Sequence, residues 1–243
     1  MSMNRYRTKH IISWQDIDCN GRFALRAFAN IMQEAAWQHA EILGFGFDYM
    51  AQHNAVWVLL ETRLQCFTQP KWRDEINVCT WHKGSRGALC LRDYVLSDES
   101  GAPIMKVSSD WVLLNHKTRR LLMPDILLPF YDTIVMEDAL PDFAIRFDNE
   151  AQDNEVSYTV TFSDLDFNGH VNNGRYYEWV ANLFEPLNTD KKVIDKMQIK
   201  YQAECFLGDE IAMRYALTDS VFRVQGIRKS DGKKVFFALA GLE

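Results

Sequence analysis

The 243-residue chain reads as α+β, an antiparallel sheet wrapped around one long helix, with this unit occurring twice. Three observations lead to that reading. A short segment recurs, Asp16-Ile17-Asp18-Cys19-Asn20-Gly21-Arg22 and Asp164-Leu165-Asp166-Phe167-Asn168-Gly169-His170, with each partner 148 positions later (18 against 166). Each copy precedes a stretch of helical apolar periodicity, and each such stretch precedes four runs of strand character. Only the second copy carries a histidine.

In the first half, Phe28, Ile31, Met32, Ala35, Ala36, His39 and Leu43 recur at helical spacing, which predicts a long amphipathic helix ending near Gly44 and Gly46. Runs rich in β-branched, aromatic and leucine residues follow at about 55–68, 74–83, 88–97 and 103–115, separated by Pro70, Gly84-Ser85 and the turn Asp98–Gly101. The stretch from Pro124 to Asn149, with Pro129, Pro141 and several acids, is the natural connector. The second half repeats the order: a leading strand near 155–163, a helix over about 172–187 with Tyr176, Trp179, Val180, Leu183, Phe184 and Leu187 on its apolar stripe, then strands near 193–205, 209–218, 221–229 and 233–241. Asp74-Glu75-Ile76 matches Asp209-Glu210-Ile211 at an offset of 135, so the first half holds extra residues between its helix and second strand. The expected division is 1–135, a connector over 136–152, and 153–243. Two hot-dog units in one chain would look like this, and so would another helix-on-antiparallel-sheet arrangement.

Composition narrows the function classes. Apolar residues at 47% and charged residues at 25% are ordinary for a globular protein, so nothing requires a metal or membrane for folding. No run approaches the roughly 18 apolar residues of a membrane span, and MSMNRYRTKH lacks a signal-peptide core, so the expected location is cytoplasmic. Five scattered cysteines without metal-ligand spacing fit a reduced interior. A net charge of −6 argues against general nucleic-acid binding.

Asp166-x-Asn168-x-His170-Val171-Asn172-Asn173, followed by Tyr176 and Trp179, resembles the signature of the acyl-acyl-carrier-protein thioesterases of plants and bacteria. Trp57-Val58 before Arg63, Trp72-x-Asp74, Trp81, Arg92-Asp93, Ser108-Ser109-x-Trp111-Val112, Thr118-Arg119-Arg120 and Glu204-Cys205 match the family in order and approximate spacing, over roughly residues 7 to 215. Glu178 and Asn182 depart from the plant members, which tend to have a small residue and an acid at those places. The resemblance implies a tandem hot-dog enzyme that hydrolyses the thioester between a fatty acyl chain and the phosphopantetheine arm of acyl carrier protein. It implies no cofactor and no metal. It also implies an acyl pocket in the N-terminal unit, which could involve some of Trp57, Trp72, Trp81 and Trp111, though all four are mainly core candidates.

Thioester hydrolysis needs an activated water or nucleophile, a proton for the leaving thiolate and donors for the oxyanion. His170, just before the second helix, suits both proton transfers because its intrinsic pKa is near neutral. Spacing of i, i+2, i+4 in an extended segment would put Asp166, Asn168 and His170 on one side, with Leu165 and Phe167 turned into a core. An acid among them could orient the imidazole, and backbone N–H groups around Val171–Asn173 could polarise the carbonyl. The family has been read both as a cysteine–histidine–asparagine triad and as acid-assisted water attack. In the run 197–205 the odd positions, ending at Cys205, are apolar and the even positions, ending at Glu204, are polar. Glu204 is therefore the favoured base or water-positioning acid, and Cys205 the secondary candidate.

Asn172 and Asn173 suit helix capping as well as substrate binding, and Tyr176 suits core as well as acyl contact. The other histidines (His10, His39, His53, His82 and His116) read as structural. Lys117, Arg119 and Arg120, with Arg86 and Arg92, could meet the acidic face of carrier protein or the pantetheine phosphate, or form a solvated hairpin. An acyl-CoA thioesterase, a non-catalytic acyl-binding protein and, less favoured, a hot-dog dehydratase are the alternatives. A tandem chain could work as a monomer or a homodimer.

Overall fold

The computed structural model describes residues 3–145, 154–218 and 220–243, which form two compact units, Met1–Asp142 and Phe143–Glu243. In the first, β1 (Tyr6–Ile11) leads to α1 (Leu25–Leu43) and the short α2 (Phe47–Gln52), then β2 (Ala55–Cys66), β3 (Glu75–Arg86), β4 (Leu89–Ser97), β5 (Pro103–Asn115) and the two-residue β6 (Leu121–Leu122). These strands pair antiparallel in the order β1-β3-β4-β5-β2, and β6 takes the end of β5 beyond the reach of β4. The second unit has β7 (Asn154–Thr159), α3 (Asn173–Phe184), β8 (Ile194–Tyr201), β9 (Glu210–Leu217), β10 (Val221–Arg228) and β11 (Lys234–Leu242), ordered β7-β9-β10-β11-β8. The two orders are the same path through equivalent strands. This is the tandem hot-dog.

Each helix lies where its sequence stripe requires. α1 buries Ala27, Phe28, Met32, Ala35, Ala36, His39, Ala40 and Leu43, and stops at Gly44, whose left-handed φ of 90° lets its N–H close on Ala40 O and Glu41 O. α3 buries Tyr176, Tyr177, Trp179, Val180 and Phe184, and packs Tyr176 and Trp179 on Phe236 and Phe184 on Phe222. It ends at Phe184, three residues before the expected Leu187; Pro186 has no N–H to continue it, and Glu185–Leu187 turn as a 3-10 helix. β1 and α2 have no counterpart in the sequence reading. Trp81 is buried as expected, whereas Trp72 is exposed and stacks edge-on against Trp14 under the Arg73 guanidinium.

The stretch after β6 is held on the first unit. Its 3-10 segment Pro124–Thr133 packs Ile126, Leu127 and Phe130 on the cluster of Ala40, Leu43, Phe45, Met50, Ala55 and Leu113. Trp81 Nε1 then donates to Glu137 O at 3.0 Å, and Ala139 N donates to the buried Asp93 carboxylate at 2.7 Å. Residues 146–152 of the expected connector lie outside the described residues.

Arg92 is not a surface docking cation. It is 7% exposed, and its Nη1 donates to His39 Nδ1 (2.9 Å) and Thr80 Oγ1 (3.2 Å) inside the first unit. Its position on β4 turns it toward the helix, where strand parity leaves no route to solvent. Because His39 Nδ1 accepts from a guanidinium, the ring is neutral and its Nε2–H donates to Met3 O. Burial, and then the Arg92 charge, pushes His39 from 6.5 down to about 4, and burial with the same neighbours takes His82 to about 3.

Both rings stay neutral in the fold while unfolded chains take up protons below 6.5. Stability is therefore full above that pH and is lost as pH falls towards 4, on the order of 2–3 kcal/mol for His39. Urea unfolding followed between pH 4 and 7 should show this fall, with a shallower slope in His39→Gln. An unchanged slope would remove His39 as its origin.

Candidate active site

The repeated segment makes the same turn in both units. In the second, Asp166 N donates to His170 O (2.8 Å), Gly169 N donates to Asp166 O (3.0 Å), and Asp166 Oδ1 accepts from the N–H groups of Asn168 (2.8 Å) and His170 (3.4 Å). In the first, Asp18 N donates to Arg22 O, and Asp18 Oδ1 accepts from Asn20 N and Arg22 N at 2.8 and 2.9 Å. Gly21 and Gly169 take φ of 75° and 76°, in the region glycine enters without strain. The segment is thus a carboxylate-clamped turn, closed by the Leu165–Val171 bridge, and not the expected extended run. The period of two expected of an extended run therefore does not govern Asp166, Asn168 and His170, and the Asp166 carboxylate is spent on the turn's own backbone. Phe167 does not enter a core: it is 95% exposed at the turn, with Asn168 exposed beside it, and Leu165 is half-buried.

The turn is anchored at its base by Asp164, whose Oδ2 accepts from Thr161 N, Thr161 Oγ1 and Tyr158 OH at 2.7–2.8 Å. Arg175 on α3 stands 3.6 Å from its other oxygen and also pairs with Glu178. Burial would raise the Asp164 carboxyl, but those hydrogen bonds and the Arg175 charge outweigh it and hold the group below the ordinary carboxylate range.

The acid beside the imidazole is Glu204: His170 Nδ1 and Glu204 Oε1 are 3.4 Å apart, both partly exposed. Asp166 faces the turn's backbone instead. Glu204 is held from behind, as Arg228 Nη1 donates to Glu204 O (2.8 Å) while Arg228 pairs with Asp209 and Asp231. Cys205 is fully buried, and burial pushes its thiol up to about 11, against a beside-lying Tyr176 hydroxyl. That thiol is protonated at neutral pH and shut off from solvent, which disfavours it as a nucleophile. Its carbonyl serves the loop by accepting from Val171 N at 2.9 Å.

The helix start offers fewer donors than expected. Val171 N–H is taken by Cys205 O and Asn172 N–H by Asp164 O, because the turn must be tied to both neighbouring segments. Asn173 N–H is the remaining one of the three. Asn172 caps α3, its Oδ1 accepting from Gly174 N at 2.8 Å. Tyr176 is buried, 3% exposed among Trp179, Tyr201 and Phe236. Lys117, Arg119 and Arg120 are exposed in the β5–β6 turn of the first unit, where Arg119 N donates to Asn115 O.

Three contributors escaped the sequence reading: Asp164 at the base, Arg228 behind Glu204, and Phe206, whose ring meets His170 edge-on at 5.0 Å. Thr161-x-x-Asp164 is a capping-box spacing that signals the first. The first unit, in contrast, has Arg22 and Gln69 where the second has His170 and Glu204, and the Gln69 side chain satisfies Phe23 N at 3.2 Å. Among the described residues no group of three or more His, Cys, Asp or Glu could hold a metal ion, and no helix is long and apolar enough to cross a membrane.

Family models for the acyl-ACP thioesterase N-terminal and C-terminal domains match residues 3–129 and 147–235. The chain is 24% identical over 239 residues to the chloroplastic oleoyl-acyl carrier protein thioesterase 1 of Arabidopsis thaliana, covering 91% of this chain and 66% of that one. It is 29% identical over 218 residues to the chloroplastic palmitoyl-acyl carrier protein thioesterase of Cuphea hookeriana, covering 82% and 52%. It thus spans between about half and two thirds of these plant relatives. An acyl-ACP thioesterase from Bacteroides thetaiotaomicron superposes with a TM-score of 0.89 at 25% identity over all of both chains. The 12:0-ACP thioesterase from Umbellularia californica shares the fold, with a TM-score of 0.87 at 23% identity over 99% of this chain and 97% of that one.

Asp164→Ala should cost about 1–3 kcal/mol by leaving the Thr161 and Tyr158 donors unpaired. The wild-type carboxyl is lowered, so its stabilisation is present above its ordinary 3.8 and fades as pH falls through its folded value. Thermal melts from pH 3 to 7 should show the variant's deficit shrinking in acid; a constant deficit would assign the loss to packing.

Proposed function

Since the chain belongs to the acyl-ACP thioesterase family, we propose that it hydrolyses the thioester of fatty acyl-acyl carrier protein and releases free fatty acid in fatty acid biosynthesis. The observation that carries this reading is the 3.4 Å approach of His170 Nδ1 to Glu204 Oε1 at the start of α3. A water positioned by Glu204 gives a proton to the His170 imidazole as its oxygen attacks the thioester carbonyl. Asn173 N–H donates to the oxyanion, a contribution worth roughly 3–4 kcal/mol when comparable donors are lost elsewhere. Collapse breaks the C–S bond, and His170 returns the proton to the pantetheine sulfur.

Asp166 acts through the backbone by fixing His170, and Asn168 at the turn faces the incoming substrate. Cys205 has no chemical step in this scheme. The N-terminal unit, with Arg22 and Gln69 in place of the pair, holds the acyl chain. Five free cysteines support a reducing, cytoplasmic compartment.

His170→Ala and Glu204→Ala should each lose about 100-fold or more in kcat on acyl carrier protein thioesters, while Cys205→Ala keeps most of the rate. The reverse pattern at Glu204 and Cys205 would overturn the water mechanism. Comparing kcat/KM on matched carrier-protein and CoA thioesters tests the substrate; a preference for CoA would make this an acyl-CoA thioesterase, and acyl binding without His170-dependent turnover would make it a binding protein.

Exposed Arg119 and Arg120 fit the acidic carrier. Reversing both charges should raise KM for the carrier-protein substrate and change its salt dependence, with no effect on a small thioester. Equal effects on both substrates would remove the docking role.

A further inference from the structure

Phe206 is 45% exposed, yet its ring stands at 86° to the His170 imidazole with centroids 5.0 Å apart. Glu204 and Phe206 lie just beyond the end of β8 at Tyr201, two residues apart, and both approach His170, while Cys205 between them is fully buried. The backbone of this turn is fixed. Phe206 N donates to Asp209 Oδ2 at 2.9 Å, and Arg228 ties that carboxylate to Glu204 O. Phe206 is therefore a large apolar side chain held at the surface against a polar group, and its exposure shows that it adds little to the core.

The other unit supplies an internal control. At the 135-residue offset, Gln69, Pro70 and Lys71 occupy the places of Glu204, Cys205 and Phe206, and Arg22 that of His170. The turn itself is the same in both units, so it does not need an aromatic residue at this point. The aromatic ring accompanies the histidine and the acid.

We propose that Phe206 is a positioning residue for His170. Its ring edge restricts rotation of the imidazole and keeps Nδ1 facing Glu204, and its bulk excludes water from one side of the pair, where a lower local dielectric strengthens their interaction. This rests on the assignment of His170 and Glu204 as the hydrolytic pair. Phe206 takes no proton and forms no bond.

The test is steady-state hydrolysis of an acyl carrier protein thioester by Phe206→Ala, Phe206→Leu, Phe206→Tyr, His170→Ala and the double variant with Phe206→Ala, with thermal melts of each. Phe206→Ala should melt like the wild type and lose about 10- to 100-fold in kcat, as small misplacements of a catalytic group do, with KM within about twofold. Phe206→Tyr should restore the rate and Phe206→Leu should not. In the His170→Ala background, Phe206→Ala should cause no further loss. A rise in KM with kcat intact would make Phe206 a substrate contact instead, and a wild-type rate, or an undiminished loss in the His170→Ala background, would also overturn the proposal. Full turnover by His170→Ala would bring down the hydrolytic pair itself, an outcome distinct from any of these.

Discussion

The second unit's site depends on one carboxylate that binds its own backbone. Asp166 accepts from the N–H groups of Asn168 and His170 and, with Gly169 at positive φ, folds five residues into a turn whose ends bridge at Leu165 and Val171. A charged acceptor for two backbone donors makes this turn stiffer than a neutral one would be. Everything downstream follows from it. The turn delivers His170 to the start of α3, ties Asn172 N–H back to Asp164 O, and presents Val171 N–H to Cys205 O, which brings the segment after β8 that bears Glu204 alongside.

The same constraint explains how one half could lack the chemistry without losing the fold. In both turns the fifth residue contributes only its N–H and C=O to the clamp, so its side chain is free to vary: Arg22 in one unit, His170 in the other. The partner strand diverged in step. Gln69 uses its side-chain oxygen to satisfy Phe23 N, whereas in the second unit a main-chain carbonyl does that work and the Glu204 carboxylate faces the imidazole. The first unit instead gathers its polar groups inside, where Arg92, His39 and Thr80 satisfy one another between helix and sheet.

Apolar–polar alternation favoured Glu204 over Cys205 before any coordinates, although β8 itself ends at Tyr201. The alternation of apolar and polar residues over 197–205 put Cys205 inward and Glu204 outward, and burial of the thiol with its raised pKa agrees. The same reasoning failed at 164–170. Asp-x-Asp-x-Asn-Gly also alternates, but Asp and Asn compete for backbone donors and glycine permits the reversal, so local hydrogen bonding overrode the period of two. Phe167, placed in a core by alternation, is consequently among the most exposed of the described aromatics.

By itself the sequence determined the two repeats, both central helices and nine of the strands, and singled out His170 and Glu204 as candidates, because periodicity, glycine stops and a repeated motif can be read along the chain. Tertiary structure decided which acid meets the imidazole, that Arg92 is a core cation, that only Asn173 N–H remains among the expected donors, and that Phe206 leans on His170. Apart from Asn172 N–H on Asp164 O, those contacts join residues 34 or more positions apart, and a distance across a fold is not written in the spacing of either partner.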